Sequence, residues 1–181
     1  MLELLAPTTR LQASWLASRD EWGRGVPQPG SGLRPNDDVE TVPGFRRWVE
    51  WLGRMADPAT TLPEGLVHAT SWWVVEDGVY AGAIQLRHAL TPYLLEAGGH
   101  IGYGIRPSAR GRGLATWALG EVVRRADAMG LRRLLVTCDA DNVASARPIE
   151  RNGGVLEDVR VGKRRYWIGP LPEGAGGEGG I

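Results

Sequence analysis

The sequence is poor in residues that mark several common classes of protein. Cys138 is the only cysteine and Lys163 the only lysine among the 181 residues. A single cysteine excludes an internal disulfide and a multi-cysteine zinc site, and His68, His88 and His100 lack the spacing of metal ligands. We therefore expect no bound metal, and we expect a reducing compartment, the cytoplasm.

A basic segment and a long apolar run are also missing. The 21 basic residues are balanced by 21 acidic ones, so the formal net charge is zero. Because nucleic-acid binding depends on clustered Lys and Arg, this balance predicts no nucleic-acid partner. No apolar run approaches the length that spans a bilayer, and residues 1–5 lack the basic region of a signal peptide. The sequence therefore predicts no association with a membrane.

What the chain does have is enough apolar residues for a core. Hydrophobic residues make up 43% of the sequence, and its length favours one domain, which we place at residues 1–169. Residues 170–181 are mostly Gly, Pro and Glu and are predicted to be a disordered tail.

Hydrophobic periodicity and turn residues predict alternating strands and helices. A helix is predicted at about residues 8–22, followed by a Gly/Pro-rich loop, and a second helix carries Trp48, Trp51, Leu52 and Met55 on one face. Asp77-Gly78 is a hairpin turn signal. Strands are predicted at residues 2–5, 71–76, 79–87, 100–105, 134–138, 155–161 and 164–168.

The most informative segment runs from Ile105 to Thr116, where a strand end, a glycine-bearing loop and a helix start follow one another. Main-chain N–H groups in the first turn of a helix have no internal acceptor, and together with the helix dipole they attract a phosphate. Gly111 and Gly113 remove β-carbons that would obstruct it, while Arg110 and Arg112 add positive charge. The loop therefore predicts an anion-binding site whose backbone donors include Leu114, Ala115 and Thr116.

The residues after the loop extend this pattern. A helix predicted to end at Gly130 is followed by an apolar strand and then by Asn142 and Ser145, which open another helix that stops near Asn152. Pro148 cannot donate to a carbonyl four residues back, so we expect it in the first turn of a helix that begins near Ser145.

With these residues the chain resembles the GNAT superfamily of N-acetyltransferases. Arg110, Gly113 and Ala115 match the family's Arg/Gln-x-x-Gly-x-Gly/Ala loop, which binds acetyl-CoA, and Asn142 and Ser145 match its Asn-x-x-Ser/Ala element beside the pantetheine arm. The resemblance implies an α+β, three-layer fold whose mixed, mostly antiparallel central sheet is flanked by helices and splayed between strands four and five. It also implies acetyl-CoA as co-substrate, an amine acceptor that is a small molecule or a peptide, and permits a homodimer.

Two other nucleotide sites fit less well. A Rossmann site would place a third glycine where Thr116 stands, although Asp139 follows at a suitable position, and a Walker loop would need Gly-Lys-Ser/Thr after the glycines. A second functional class stays open within the family, namely a non-catalytic acyl-CoA sensor. Its support is Ile149, which stands where many family members have a Tyr that protonates the CoA thiolate.

Acetyl transfer requires a neutral amine, a polarised carbonyl and a departing thiolate. By resemblance, the carbonyl oxygen meets a main-chain N–H near Ile105, and a base lies on or near strand four. The available groups are Glu96, His100 and Tyr103, and the sequence does not choose among them. We interpret Cys138, inside an apolar strand, as a core thiol and therefore expect direct attack without an acetyl-cysteine.

The resemblance places the acceptor site at residues 15–40 and 87–99. Acidic residues there (Asp37, Asp38, Glu40) can attract a cationic amine, and Trp22, Trp72 or Trp73 can wall the pocket, although solvated acids and core tryptophans are the commoner roles.

Overall fold

A seven-stranded sheet forms the centre of the protein in a computed structural model, which describes residues 1–170. The strand order is β1-β2-β3-β4-β5-β7-β6. The strands are β1 (Leu2–Leu5), β2 (Ala69–Glu76), β3 (Val79–Arg87), β4 (Ile101–Ile105), β5 (Leu134–Asp139), β6 (Val155–Arg160) and β7 (Lys163–Ile168). The predicted tail, residues 170–181, lies almost wholly outside this part of the chain.

Four helices cover the two faces of the sheet. They are α1 (Gln12–Trp22), α2 (Val42–Ala56), α3 (Leu114–Ala128) and α4 (Val143–Arg151). Helices α1 and α2 pack on one face around an aromatic cluster that includes Trp15, Trp48 and Trp73. On the other face, α3 and α4 bury an aliphatic cluster against β3, β4 and β5. Within residues 1–170 no helix is long and apolar enough to cross a membrane.

The predicted hairpin at Asp77-Gly78 is confirmed. Asp77 and Gly78 have φ values of 50° and 78°, and two successive positive φ angles are typical of the turn whose twist matches that of the joined strands. Val161 and Gly162 repeat the same signs, 51° and 72°, between β6 and β7. These turns fix the register of β2 with β3 and of β6 with β7.

The expected splay of the sheet is confirmed and lies between β4 and β5. These two strands run parallel and are paired through Ile101 and Val136 alone, whereas every other neighbouring pair is antiparallel and paired along most of its length. Beyond Ile101 the strands diverge, so the main chain of β4 from Tyr103 to Ile105 has no strand on its β5 side. The divergence opens a cleft in the sheet.

The long loop between α1 and α2 packs directly on β4. An ideal β-carbon on Gly30 would lie 2.5 Å from the Gly102 carbonyl oxygen and 2.8 Å from the Tyr103 Cα atom. Gly104 makes room in the same way for Pro29, whose carbonyl oxygen would be 2.9 Å from a β-carbon there. Glycines on both sides therefore allow two backbones to touch where the cleft begins.

Helix α4 begins earlier than its proline predicts. The expected start near Ser145 is wrong: Asn142 is the N-cap, its Oδ1 accepts from the Ser145 N–H at 3.1 Å, and Pro148 lies in the helix interior. The side-chain cap stabilises the earlier start. Pro148 leaves the Ala144 carbonyl without a helical donor, but Ala144 is exposed at the cleft, where water can serve. A π-helical turn at Leu94–Gly98, ahead of β4, was also not expected.

We predict that Gly30→Ala destabilises the protein far more than Gly25→Ala. Both glycines have nearly the same positive φ, 80° and 77°, so both variants carry a similar backbone strain, but a β-carbon at Gly25 meets no atom. Overpacking against β4 should cost Gly30→Ala about 1–3 kcal/mol more. Urea unfolding measures the difference, and equal stabilities would show that the loop does not pack on β4.

Candidate active site

The segment that follows β4 has the geometry of an anion-binding loop. After Ile105 comes a 3₁₀ turn, Pro107–Ala109, and then Gly111 and Gly113 with φ values of 75° and 81°. A β-carbon at either glycine would meet no protein atom within 4 Å, so both positions face open space. The glycines are needed for the left-handed backbone, and they leave that space free for a ligand.

Helix α3 starts at this loop without a side-chain cap. Gly113 is its N-cap and offers no acceptor, and the N–H groups of Leu114, Ala115 and Thr116 have no acceptor among residues 1–170. Three free donors at the positive end of a fifteen-residue helix favour a bound anion. The backbone itself therefore offers the phosphate site.

The free donors line a cleft of 620 Å³ between β4 and α4. Nine of the ten residues predicted to bind the cofactor line it: Ile105, Arg110, Gly111, Gly113, Leu114, Ala115, Thr116, Asn142 and Ser145. The tenth, Arg112, is turned to Glu76, with 2.6 Å between its Nη2 and Oε1. The fold thus brings two distant segments of sequence together.

Two arginines of the cleft were missed in the sequence. Arg147 and Arg151 lie one turn apart on α4 and line the cleft, and neither has a carboxylate within 4.0 Å in the described chain. The signal available in the sequence was the spacing of four residues between Arg147 and Arg151, which places both on one face of the helix that follows Asn142. No Asp, Glu or His lines the cleft within residues 1–170, so its charge is positive.

Arg110 joins the loop to α1. Its guanidinium lies 4.4 Å from the centroid of the Trp22 ring, and its Nε donates to the Ile105 carbonyl oxygen at 3.0 Å. Trp22 also lines the cleft, at the C-terminal end of α1. This stacking orients Arg110 along the wall of the cleft and makes Trp22 part of that wall.

Glu21 braces the turn ahead of the glycines. Its carboxylate pairs with Arg106, whose Nε donates at 3.1 Å, and it accepts from the Ser108 backbone N–H and hydroxyl, each at 3.0 Å. The Arg106 hydrogen bond is the largest of the effects that lower the pKa of Glu21 to about 2. The end of α1 and the cofactor loop are thereby held together.

Of the three predicted catalytic residues, Tyr103 is the one that lines the cleft. Its hydroxyl donates to the Ser145 carbonyl oxygen at 2.7 Å, across the gap between β4 and α4. Burial raises the pKa of Tyr103 above its usual value. The phenol therefore keeps its proton at neutral pH and is not present there as a phenolate base.

His100 is a structural residue in this geometry. The imidazole Nδ1 accepts from the Leu135 backbone N–H at 2.9 Å, and the backbone N–H of His100 donates to the Leu135 carbonyl oxygen at 2.7 Å. Burial, followed by the charge of Arg87, lowers the pKa of His100 to about 4. The imidazole joins the start of β4 to β5 and lies outside the cleft.

Glu96 also lies away from the cleft. It stands in the π-helical turn, is half exposed, and its Oε1 is 3.0 Å from Arg160 Nη1 on β6. The other acidic residues proposed to attract an amine are engaged as well: Asp37 pairs with Arg34, Asp38 accepts from Thr41, and Glu40 pairs with Arg19.

Comparison with known proteins identifies the fold and the family. No curated protein sequence matches the chain, but several solved structures do. The chain is similar to the microcin self-immunity acetyltransferase MccE in complex with acetyl-CoA and AMP, with 15% identity, 93% and 92% of the two chains covered and a TM-score of 0.65. It is also similar to the ribosomal-protein α-N-acetyltransferase RimL in complex with coenzyme A, with 20% identity, 92% of each chain covered and a TM-score of 0.64. With Mycobacterium smegmatis RimJ it shares 18% identity, with 92% of this chain and 81% of RimJ covered and a TM-score of 0.67.

The sequence model of the acetyltransferase (GNAT) domain matches residues 35–155. This chain belongs to the GNAT acetyltransferase family. It is therefore an acetyltransferase that uses acetyl-CoA, and the family membership favours an enzyme over the non-catalytic acyl-CoA sensor. The matched residues include the glycine loop, Tyr103, Asn142 and Ser145.

Against the GNAT pattern, the helix after Asn142 lacks its tyrosine. Ile149 stands there and is fully buried in the core between α3, α4 and the sheet. Cys138 is buried too, and burial is the main cause that raises the pKa of its thiol, which disfavours the reactive thiolate. Neither residue supplies a proton donor or a nucleophile to the cleft.

We predict that Gly113→Ala weakens acetyl-CoA binding by about tenfold or more, which corresponds to about 1.4 kcal/mol. The added β-carbon enters the open space that the pyrophosphate would occupy. Gly130→Ala is the matched control, because Gly130 follows the other end of α3 with a φ of 82° and equally open surroundings. Calorimetry with acetyl-CoA measures both variants, and equal dissociation constants would contradict the assignment of the loop.

We predict that Glu21→Gln removes a pH-dependent part of the stability. Because the folded-state pKa of Glu21 is about 2 and its ordinary value is 4.5, the stabilisation is present above pH 4.5 and is lost as the pH falls towards 2. The variant should be less stable than the parent at pH 7, and the difference should shrink below pH 4.5. Urea titrations at several pH values measure this. The control is Glu64→Gln, because Glu64 is exposed and forms no ion pair within residues 1–170. A difference independent of pH would contradict the ionic brace.

Proposed function

We propose that this protein is an N-acetyltransferase that moves the acetyl group of acetyl-CoA to the amine of a small molecule or peptide by direct attack in a ternary complex. The observation that carries the proposal is the uncapped N-terminus of α3 at one end of a positive cleft that leads to the divergence of β4 and β5. A single buried thiol fits a cytoplasmic enzyme.

In this proposal the pyrophosphate lies on the N–H groups of Leu114, Ala115 and Thr116. The pantetheine arm then follows the cleft past Asn142 and Ser145 towards β4. The Arg106 N–H donates to Ala81 of β3, so alternation along the strand turns the N–H of Ile105 towards the gap. A donor aimed into the gap can stabilise the negative charge that develops on the thioester oxygen.

The cleft offers no obvious base for the acceptor. An alkyl amine has a pKa of about 10.4, so about one molecule in two thousand is neutral near pH 7. Since no Asp, Glu or His of residues 1–170 lines the cleft, we propose that the amine enters in its neutral form, having left its proton in solvent. The positive charge of Arg110, Arg147 and Arg151 also disfavours an ammonium ion there.

Tyr103 takes the role of the missing tyrosine in this mechanism. The amine nitrogen attacks the carbonyl carbon, the carbon–sulfur bond breaks, and the electron pair leaves on sulfur. The Tyr103 hydroxyl donates its proton to that sulfur and recovers one from the newly formed ammonium through solvent. Its place in the cleft beside Ser145 supports this assignment.

The acceptor approaches from the other face of the sheet. A second cavity, of 350 Å³, lies there between α2, β3 and the segment before β4. It is lined from both stretches that the family resemblance assigns to the acceptor, through Leu33 and Arg34 on one side and Thr91 and Leu94 on the other. MccE and RimL are both named as acetyltransferases, and RimL as one that acts on a protein α-amine, which supports an amine acceptor here.

The test of the mechanism is Tyr103→Phe, for which we predict a fall in kcat of about a hundredfold with a nearly unchanged dissociation constant for acetyl-CoA. His100→Asn keeps an acceptor for the Leu135 N–H, so it, Glu96→Gln and Cys138→Ala should each retain kcat within about threefold. Thiol release from acetyl-CoA over a panel of amines measures all four variants. A parent-like Tyr103→Phe, or an inactive but folded Cys138→Ala, would contradict direct attack with Tyr103 as the acid.

A further inference from the structure

The cavity on the α2 side of the sheet contains a cation without an acidic partner. Arg87, the last residue of β3, lines it, and its Nη1 donates to the carbonyl oxygens of Gly98 and Gly99 at 3.0 and 3.1 Å. Its Nε and Nη2 have no acceptor, and no carboxylate lies within 4.0 Å, among residues 1–170. A half-buried guanidinium with two such donors is suited to bind an oxyanion.

Nothing else in the cavity wall neutralises Arg87. No Asp or Glu lines the cavity within the described chain, and the second arginine, Arg34, is already paired with Asp37 at 2.6 Å and stacked over Trp51 at 4.3 Å. Burial is the main cause that lowers the pKa of Arg87, and Tyr93 offsets this in part. A ligand that brings a negative charge would offset the desolvation further.

The remainder of the wall is mainly apolar. Its apolar residues include Trp51, Leu52, Met55, Leu66 and Val67. A ligand that fits both parts carries a small oxyanion and an apolar group. The cavity volume of 350 Å³ holds a molecule of the size of one amino acid.

Arg87 also lies against the strand that lines the acetyl-CoA cleft. A β-carbon on Gly102 would be 3.7 Å from its Nη2, and the next residue, Tyr103, faces the cleft on the opposite side of β4. An oxyanion held by Arg87 would therefore lie near Gly102 of β4, beside the Pro29–Gly30 segment that packs on this strand. An amine close to that oxyanion in the same molecule would be brought to the strand where the acetyl group is expected.

From this arrangement we infer that the acceptor is an apolar α-amino acid whose carboxylate is bound by Arg87. The inference rests on the proposed function, and it narrows the acceptor from amines in general to amines that carry a neighbouring carboxylate. The apolar side chain would lie against Trp51, Leu52 and Met55. The absence of acidic side chains in the cavity wall of the described chain disfavours a simple cationic amine there.

The test compares each acceptor with its carboxamide, using leucine, methionine and phenylalanine against leucinamide, methioninamide and phenylalaninamide. Replacing the carboxylate by a carboxamide lowers the pKa of the α-amine, so a larger fraction of the amine is neutral and reactive. A preference for the acid must therefore come from the protein. We expect kcat/KM to be at least tenfold higher for at least one of the acids. Equal or lower values for all three acids would overturn the carboxylate site and leave acetyl transfer standing, whereas no thiol release with any amine would overturn both.

Two pairs of variants separate charge from folding. Arg87→Gln should lower kcat/KM for the preferred acid at least tenfold more than it lowers kcat/KM for the matching carboxamide, while Arg87→Lys should retain part of the preference for the acid. Because Arg87 also donates to the carbonyls of Gly98 and Gly99, a second pair of variants leaves Arg87 unchanged. Leu66 lines the cavity and is half exposed, so Leu66→Asp adds a carboxylate that competes with the ligand. Leu66→Asn is the matched neutral variant. Loss of the acid preference in Leu66→Asp alone supports the site, and identical behaviour of the Leu66 pair would contradict it.

Discussion

The single backbone pairing between Ile101 of β4 and Val136 of β5 is the constraint on which the rest of the site depends. A sheet normally uses every N–H and carbonyl of a central strand, and here β4 leaves this pattern after one pair. The His100 side chain secures the paired end through Leu135. Beyond it the freed backbone of β4 faces a gap that α4 borders, and Tyr103 spans that gap to Ser145.

The charged groups on the two sides of β4 favour different ligands. On the cleft side, helix N–H groups and arginines that have no acceptor or acidic partner among residues 1–170 favour an anion of high charge. On the α2 side, one guanidinium in an apolar wall favours a smaller anion with an apolar group. The acidic residues nearby are used for structure: Glu21 braces the cofactor loop, and Asp37 and Glu40 pair with arginines of their own region. This division explains why the chain is neutral overall and yet has positive cavities.

The sequence predicted those parts of the fold that depend on the conformational preferences of neighbouring residues. Asp77-Gly78 specifies its turn through positive φ angles, and the run from Ile105 to Thr116 specifies strand, loop and helix start through glycine and periodicity. The start of α4 differs from the prediction because the Asn142 side chain caps the helix ahead of Ser145, and the helix holds Pro148 in its interior. Contacts between distant segments could not be predicted in this way. The His100 side chain accepts a hydrogen bond from the Leu135 N–H, and the Arg87 guanidinium lies close to Gly102. No spacing in the sequence indicates either contact. The limits of the domain at residue 169 stay a prediction.

The central claim is that acetyl-CoA binds along the path from the start of α3 to the gap beside β4. Backbone amide resonances followed during a titration of the full chain with acetyl-CoA test it most directly, since a chain of 19.6 kDa is accessible to such spectra. The account predicts the largest shifts at Leu114, Ala115 and Thr116, with a second group at Tyr103, Ile105 and Ser145. Shifts confined to other parts of the chain, with those amides unmoved at saturation, would contradict it.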